Sequence, residues 1–309
     1  MRAPSRLAAG LLLAGLAGLS SCALNVPYDK YAIVYGVSLY DDGLPEGIYP
    51  NLTYPNEDAD SMEAMLLAQG YTVLKKTNSS GNLTNLLSDI TTVAGAAREQ
   101  DLFLFYFSGH GGYSGTGPEP SGADSSTEWI YLRGSVAPLN LSATLNDDQL
   151  VAAFAPIAAR KKVIIIDACN SGGFIGNELE ADGEPASLVE GSDSIVELAA
   201  QAIRLWANFD GSSADIPPWE AIVLSAAGER ELSYEMGLPY GHGIFTYYLL
   251  EAETQSDQDR DGWVTVTEAF AYATKMIYQD WNYGYGFPSA VFSPHVSGGP
   301  VDYVLFEAR

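Results

Sequence analysis

The run Lys161-Lys162-Val163-Ile164-Ile165-Ile166-Asp167-Ala168-Cys169-Asn170-Ser171-Gly172-Gly173 decides how this chain folds. Four consecutive β-branched residues, Val163 to Ile166, suit a strand buried on both faces, as in a parallel sheet with helices above and below. The strand ends near Cys169, and the Ser-Gly-Gly that follows lets the backbone turn sharply. Cys169 is therefore expected at the carboxyl end of a central strand, the edge where open α/β sheets build their sites.

A second apolar run, Asp101-Leu102-Phe103-Leu104-Phe105-Tyr106-Phe107, ends in Ser108-Gly109-His110-Gly111-Gly112. If the two strands are neighbours, His110 and Cys169 face one cleft. A thiol near its free pKa is mostly protonated at neutral pH. An imidazole beside it can take that proton, which prepares the sulfur for attack on a carbonyl. A buried cysteine is ordinarily a small hydrophobe and a buried histidine a satisfied polar group. Here both lie at strand ends in glycine-rich turns, and we read them as nucleophile and base.

Ser-Gly-His-Gly at one strand end and Asp-Ala-Cys-Asn-Ser-Gly-Gly at the other, 59 residues later, resemble the His and Cys motifs of the caspase-like cysteine peptidases. The aspartate before the cysteine resembles their bacterial metacaspase, or orthocaspase, branch, since true caspases carry Gln-Ala-Cys there. The resemblance runs from about Lys30 to the C-terminus. It implies an α/β, caspase-like fold with a mostly parallel central sheet and helices on both faces, and hydrolysis of peptide bonds after Arg or Lys. It also implies that Asp58, Ser108 and Asp167 line the pocket for the basic side chain, and that the backbone N–H groups of Cys169 and Gly111 bind the oxyanion. Asp58 could instead favour a helix N-terminus and Asp167 cap the turn after its strand. No residue that would orient His110 is legible. The competing reading is a catalytically silent, calcium-stabilised surface-binding module that keeps the fold.

The remaining pattern fits that architecture. Lys30–Leu39 reads as a strand, Glu57–Gln69 as a helix, Gly70–Leu74 as a strand and Leu83–Arg98 as a helix. This alternation argues for a parallel sheet. Residues 111–126 read as a loop, Trp129–Leu132 as a short strand, and Asp147 or Asp148 opens a helix to about Ala159. Ala221–Ser225 resumes the sheet and Ile244–Glu253 is helical. Val301–Phe306 is the final strand. His242 is the runner-up base but precedes a helix rather than ending a buried strand, so it reads as a surface or capping residue, and His295 is placed in a loop.

Arg2 and Arg6 precede an apolar run, Leu7 to Leu19, closed by Ser20-Ser21-Cys22. A charged start and a core too short to span a bilayer describe a secretory signal. The Leu-Ser-Ser-Cys end resembles a bacterial lipobox, which makes residues 1–21 a signal and Cys22 the lipidated start of a 22–309 domain. Ala23 then favours the outer membrane of a diderm host. With Cys22 carrying lipid, Cys169 is the remaining thiol, whereas a Cys22–Cys169 disulfide would block it.

The chain has 15 basic and 39 acidic residues, a net charge of −24. Such a surface repels nucleic acid and attracts basic peptides, though solubility alone would also account for it. Residues 174–218 hold nine acidic residues and one basic one, Arg204, and read as a surface insertion. Nothing calls for an organic cofactor.

Asp257-Gln258-Asp259-Arg260-Asp261-Gly262-Trp263-Val264-Thr265-Val266-Thr267-Glu268 has the spacing of an EF-hand calcium loop. Asp257, Asp259, Asp261, the Trp263 carbonyl, Thr265 and Glu268 are the expected oxygen ligands. A plain acidic turn with a helix-capping glutamate is the alternative.

Overall fold

The computed structural model describes residues 28–40, 50–114, 127–134, 143–169, 171–174, 221–228, 231–284, 291–297 and 302–309. Its centre is a six-stranded sheet. In chain order the elements are β1 (Lys30–Gly36), α1 (Pro55–Ala68), β2 (Tyr71–Thr77), α2 (Leu83–Ala96), β3 (Leu102–Ser108), β4 (Gly111–Ser114), β5 (Thr127–Tyr131), β6 (Thr144–Asn146), α3 (Asp147–Phe154) and β7 (Lys161–Asp167). Then follow β8 (Ile222–Ser225), β9 (Glu235–Met236), β10 (His242–Gly243), α4 (Ile244–Gln255), β11 (Trp263–Thr265), α5 (Val266–Met276), a π-helical stretch (Ile277–Gly284), β12 (His295–Val296) and β13 (Val304–Glu307).

The central order is β12-β8-β7-β3-β1-β2, parallel throughout except for β12 at one edge. This is the α/β sheet that the two apolar runs predict. Their side chains alternate between two cores, as the period of a strand requires. Leu102, Leu104 and Tyr106 face one core with Val163 and Ile165, against α1, α4 and α5. Phe103, Phe105 and Phe107 face the other with Ile164 and Ile166, against α2 and α3. Every residue of β3 is buried, so the strand shows no amphipathic alternation despite facing two layers.

Local signals set the helix starts. α1 begins at Pro55, whose missing N–H costs little in the first helical turn. Asn82 caps α2 by accepting from the Asn85 N–H at 3.0 Å. Asn146 and Gln149 form a capping box at α3.

The chain runs outward from β1 to β2 and returns to β3 on the opposite side of β1. That reversal opens a crevice beyond the carboxyl ends of β1 and β3, the usual place for a site in such sheets. Two expectations are corrected at the margins. The segment after His110 is not all loop: β4 starts at Gly111 and pairs antiparallel with β5, which pairs with β6. His295 is not in a loop but begins β12, which closes the sheet edge on Ser225 and Leu224 of β8.

Candidate active site

Cys169 and His110 are carried by adjacent strands. β3 and β7 pair with Ser108 opposite Asp167, so each residue lies two positions beyond a paired strand end. The Gly109 N–H donates to the Asp167 carbonyl at 3.2 Å. The two turns then touch: a Cβ on Gly111 would collide with the carbonyl oxygen of Cys169. Glycine is required there because the backbones leave no room for a side chain.

His110 is held by groups that sequence reasoning missed. Its N–H donates to the Tyr40 hydroxyl at 2.8 Å, and that hydroxyl donates to the Tyr131 carbonyl at 2.9 Å. The Tyr40 ring lies 4.6 Å from the imidazole, centroid to centroid. On the ring's other side Nε2 is 2.7 Å from the Pro50 carbonyl. A carbonyl only accepts, so Nε2 carries the proton and Nδ1 is the accepting nitrogen of the neutral ring. A backbone oxygen is invisible to motif reading, so the sequence carries no signal for this orienting contact. Tyr40→Phe is expected to cost about 1–3 kcal/mol, because it strips an acceptor from a buried N–H; a melting-temperature drop of several degrees checks this, and an unchanged melt would overturn the role.

The Cys169 sulfur points toward the Ser233 carbonyl at 3.8 Å, and Cys169 is unpaired. Burial pushes its thiol up, with a backbone hydrogen bond at Ser233 opposing and the Asp167 charge reinforcing. Burial likewise pushes the His110 imidazole down, against the Pro50 carbonyl and Glu235. Both shifts favour a neutral thiol and a neutral imidazole at these two strand ends.

The structure brings Asp58, Ser108 and Asp167 together. Asp58, 1 % exposed, accepts from the Ser108 hydroxyl at 2.7 Å and the Gly243 N–H at 3.1 Å. Asp167 accepts from the Ser233 hydroxyl at 2.6 Å and from the Thr246 hydroxyl and N–H at 2.6 and 3.1 Å. The two carboxylates meet across Gly243, where a Cβ would collide with Asp167 Oδ2 and come 3.1 Å from Asp58 Oδ2. Tyr54 holds the cap position of α1 and Asp58 lies in its first turn, where a negative charge favours the helix N-terminus, while its side chain accepts from β3 and β10. His242 is also corrected: it is mostly buried in β10, with Nδ1 2.9 Å from Asp58 Oδ1. It sits there because β10 pairs with β9 and carries the residues before α4 into the pocket.

Burial pushes the Asp58 carboxyl up, with His242 and Ser108 opposing. Asp167 is pushed up to about 6, by burial first and then by the charge of Asp58. A desolvated carboxylate pair with one imidazole against Asp58 concentrates negative charge in the pocket.

The EF-hand-like loop is a second candidate site. Asp257, Asp259 and Asp261 bring carboxylate oxygens within 4.8 Å of one another. The chain bends at Gly262, φ +89°, and β11 pairs antiparallel with β13. Asp257 Oδ1 is buried without a hydrogen-bond partner, and the donor set is all oxygen, which fits a hard dication. Glu268 lies outside the three-aspartate cluster; it accepts from the Gln258 N–H at 3.1 Å and the Thr265 N–H at 2.9 Å. Thr265 caps α5.

Among the described residues no helix is long and apolar enough to cross a membrane. Residues 1–21, Cys22, Asn170 and the insertion with Arg204 lie outside the described residues.

Fold and site together define an α/β protein of cysteine-peptidase type, with thiol and imidazole at neighbouring strand ends. The chain belongs to the caspase domain family, which matches residues 29–285. Among solved structures it is similar to the protein GSU0716 from Geobacter sulfurreducens, at 18 % identity and a TM-score of 0.53, covering 88 % of this chain and 95 % of that one. It also aligns with caspase-1 from Spodoptera frugiperda at 12 % identity and a TM-score of 0.49, covering 88 % and 86 % of the two chains. No curated protein matches the chain.

Proposed function

We propose that this chain is a cysteine endopeptidase of metacaspase type that cleaves peptide bonds after Arg or Lys. The observation that carries the reading is the β3–β7 register, which brings the His110 and Cys169 turns together beside two buried carboxylates. Nδ1 of His110 takes the thiol proton, and the sulfur attacks the carbonyl carbon to form a tetrahedral oxyanion. The Cys169 and Gly111 N–H groups stabilise that oxyanion. The Tyr131 N–H donates to the His110 carbonyl at 3.0 Å, which puts Gly111 at a position where its own N–H points away from β5. The imidazolium returns its proton to the leaving amine, giving a thioester, and water activated by the same ring releases the acid product.

Asp58 and Asp167, with Ser108, receive the substrate's cation, which relieves their repulsion. A cation needs Asp167 ionised. Below a pH of about 6 the empty pocket holds a proton there that the cation must displace. Affinity for benzamidine, an uncleavable guanidinium analogue, is therefore expected to fall as pH drops through about 6 and to level off above it; a flat titration curve between pH 5 and 8 would remove the pocket assignment.

Calcium at Asp257, Asp259, Asp261, Trp263, Thr265 and Glu268 would brace the junction of α4, β11 and α5 by neutralising the clustered carboxylates. Adding calcium after EDTA is expected to raise the melting temperature by several degrees at about 100 times its Kd, where linkage supplies about 2.7 kcal/mol. No shift, or an equal one for Asp257→Asn, would leave the loop a plain turn.

The Leu-Ser-Ser-Cys segment supports export as a lipoprotein held in the bacterial envelope by lipid on Cys22. Metabolic labelling with an alkyne fatty acid, lost in Cys22→Ala, tests it. The silent binding module is the second reading, and it predicts no cleavage with or without calcium.

A further inference from the structure

We propose that a second cleft, where α4 and α5 pack beside the turn preceding His242, binds an organic ammonium group. The cavity is about 380 Å³ and is walled by Tyr240, Tyr247, Tyr248 and Tyr272, with Glu251 and Asp280. None of its lining residues is basic.

The rings stand nearly perpendicular. Tyr247 meets Tyr240 at 4.9 Å and 82°, and Tyr248 at 5.0 Å and 84°. Tyr240 meets Tyr248 at 6.0 Å and 74°. Edge-to-face packing turns the electron-rich face of one ring toward the edge of the next and builds a box rather than a stack. Three phenols donate to the carboxylates: Tyr247 and Tyr272 to the two oxygens of Glu251 at 3.0 and 3.2 Å, and Tyr248 to Asp280 at 3.3 Å. Burial holds all three phenols above their ordinary range. They therefore remain donors to Glu251 and Asp280.

Aromatic faces with two carboxylates and no internal cation repel an anion. A neutral apolar ligand brings no counter-charge to the two phenol-bonded carboxylates, whereas an ammonium group meets rings and acidic groups together. The volume admits a choline-sized molecule or a lysine side chain. The cage does not rest on the peptidase reading, yet it adjoins that pocket: Thr246 donates to Asp167, and the next two residues are cage walls.

The full-length protein is titrated calorimetrically with choline and with its neutral carbon isostere 3,3-dimethylbutan-1-ol. A parallel arm uses two acetylated, amidated peptides differing in one lysine-for-norleucine exchange. Choline or the lysine peptide is expected to bind at least about tenfold more tightly than its neutral counterpart. Choline binding points to a free amine as occupant, and lysine-peptide binding alone points to a polypeptide side chain. Tyr247→Leu and Glu251→Gln are each expected to weaken the binding at least about fivefold while the chain still melts cooperatively within several degrees of wild type; Tyr272→Leu replaces either if it fails to fold. Equal binding of the neutral counterparts, or none by either cation, overturns the proposal. So does loss of binding in Asp167→Asn with Tyr247→Leu silent, which would place the cation in the other pocket.

Discussion

Cys169→Ala is expected to abolish cleavage of Arg- and Lys-ended reporter peptides, a loss on the order of 10⁴-fold or more, while the fold survives. The substitution removes one half-buried sulfur, whose described hydrogen bond is a long one to the Ser233 carbonyl. The melting temperature should move by less than about 4 °C, the change that roughly 1 kcal/mol produces in a chain of this size. His110→Ala should cost a similar factor in rate, because nucleophile and base act as a unit and their losses do not add. Full activity in Cys169→Ala would end the mechanism. A wild-type chain that cleaves nothing, with or without calcium, would leave the silent module.

Asp167→Asn is expected to lower kcat/KM for Arg-ended peptides by roughly 10²–10³-fold, the scale of removing one partner from a desolvated charge pair. Asparagine matches aspartate in shape, and its amide can still meet the Ser233 and Thr246 groups that hold Asp167. The fold should persist, and an asparagine carries no proton-linked charge. The fall in benzamidine affinity near pH 6 should therefore vanish in this variant. Preference for Asp-ended over Arg-ended reporters in the wild type would refute the pocket chemistry outright.

The fold was readable because Leu102–Phe107 of β3 and Val163–Ile166 of β7 are apolar without alternation, the pattern of short strands covered on both faces. Segment ends were less secure. The residues after His110 contain four glycines within eight positions and read as loop, yet Gly111 to Ser114 pair with β5. Close packing of Gly111 against Cys169 and of Gly112 against Tyr131 is what requires glycine in this strand. His295 misled for a like reason: its proline and glycine neighbours signal a turn, but the exposed edge of β8 recruits a two-residue partner.

The sequence by itself determined the two strand-end motifs, the helix starts and the acidic spacing of residues 257–268, because each rests on neighbours a few positions apart. Only the tertiary structure decided which groups share a site. Tyr40 and Pro50 reach His110 across 70 and 60 residues, and His242 reaches Asp58 across 184. Such contacts follow from parallel register and the order of strands in the sheet. Chain separation does not encode them, because loop closure costs little more at 180 residues than at 60 and burial of the apolar strands selects among the closures.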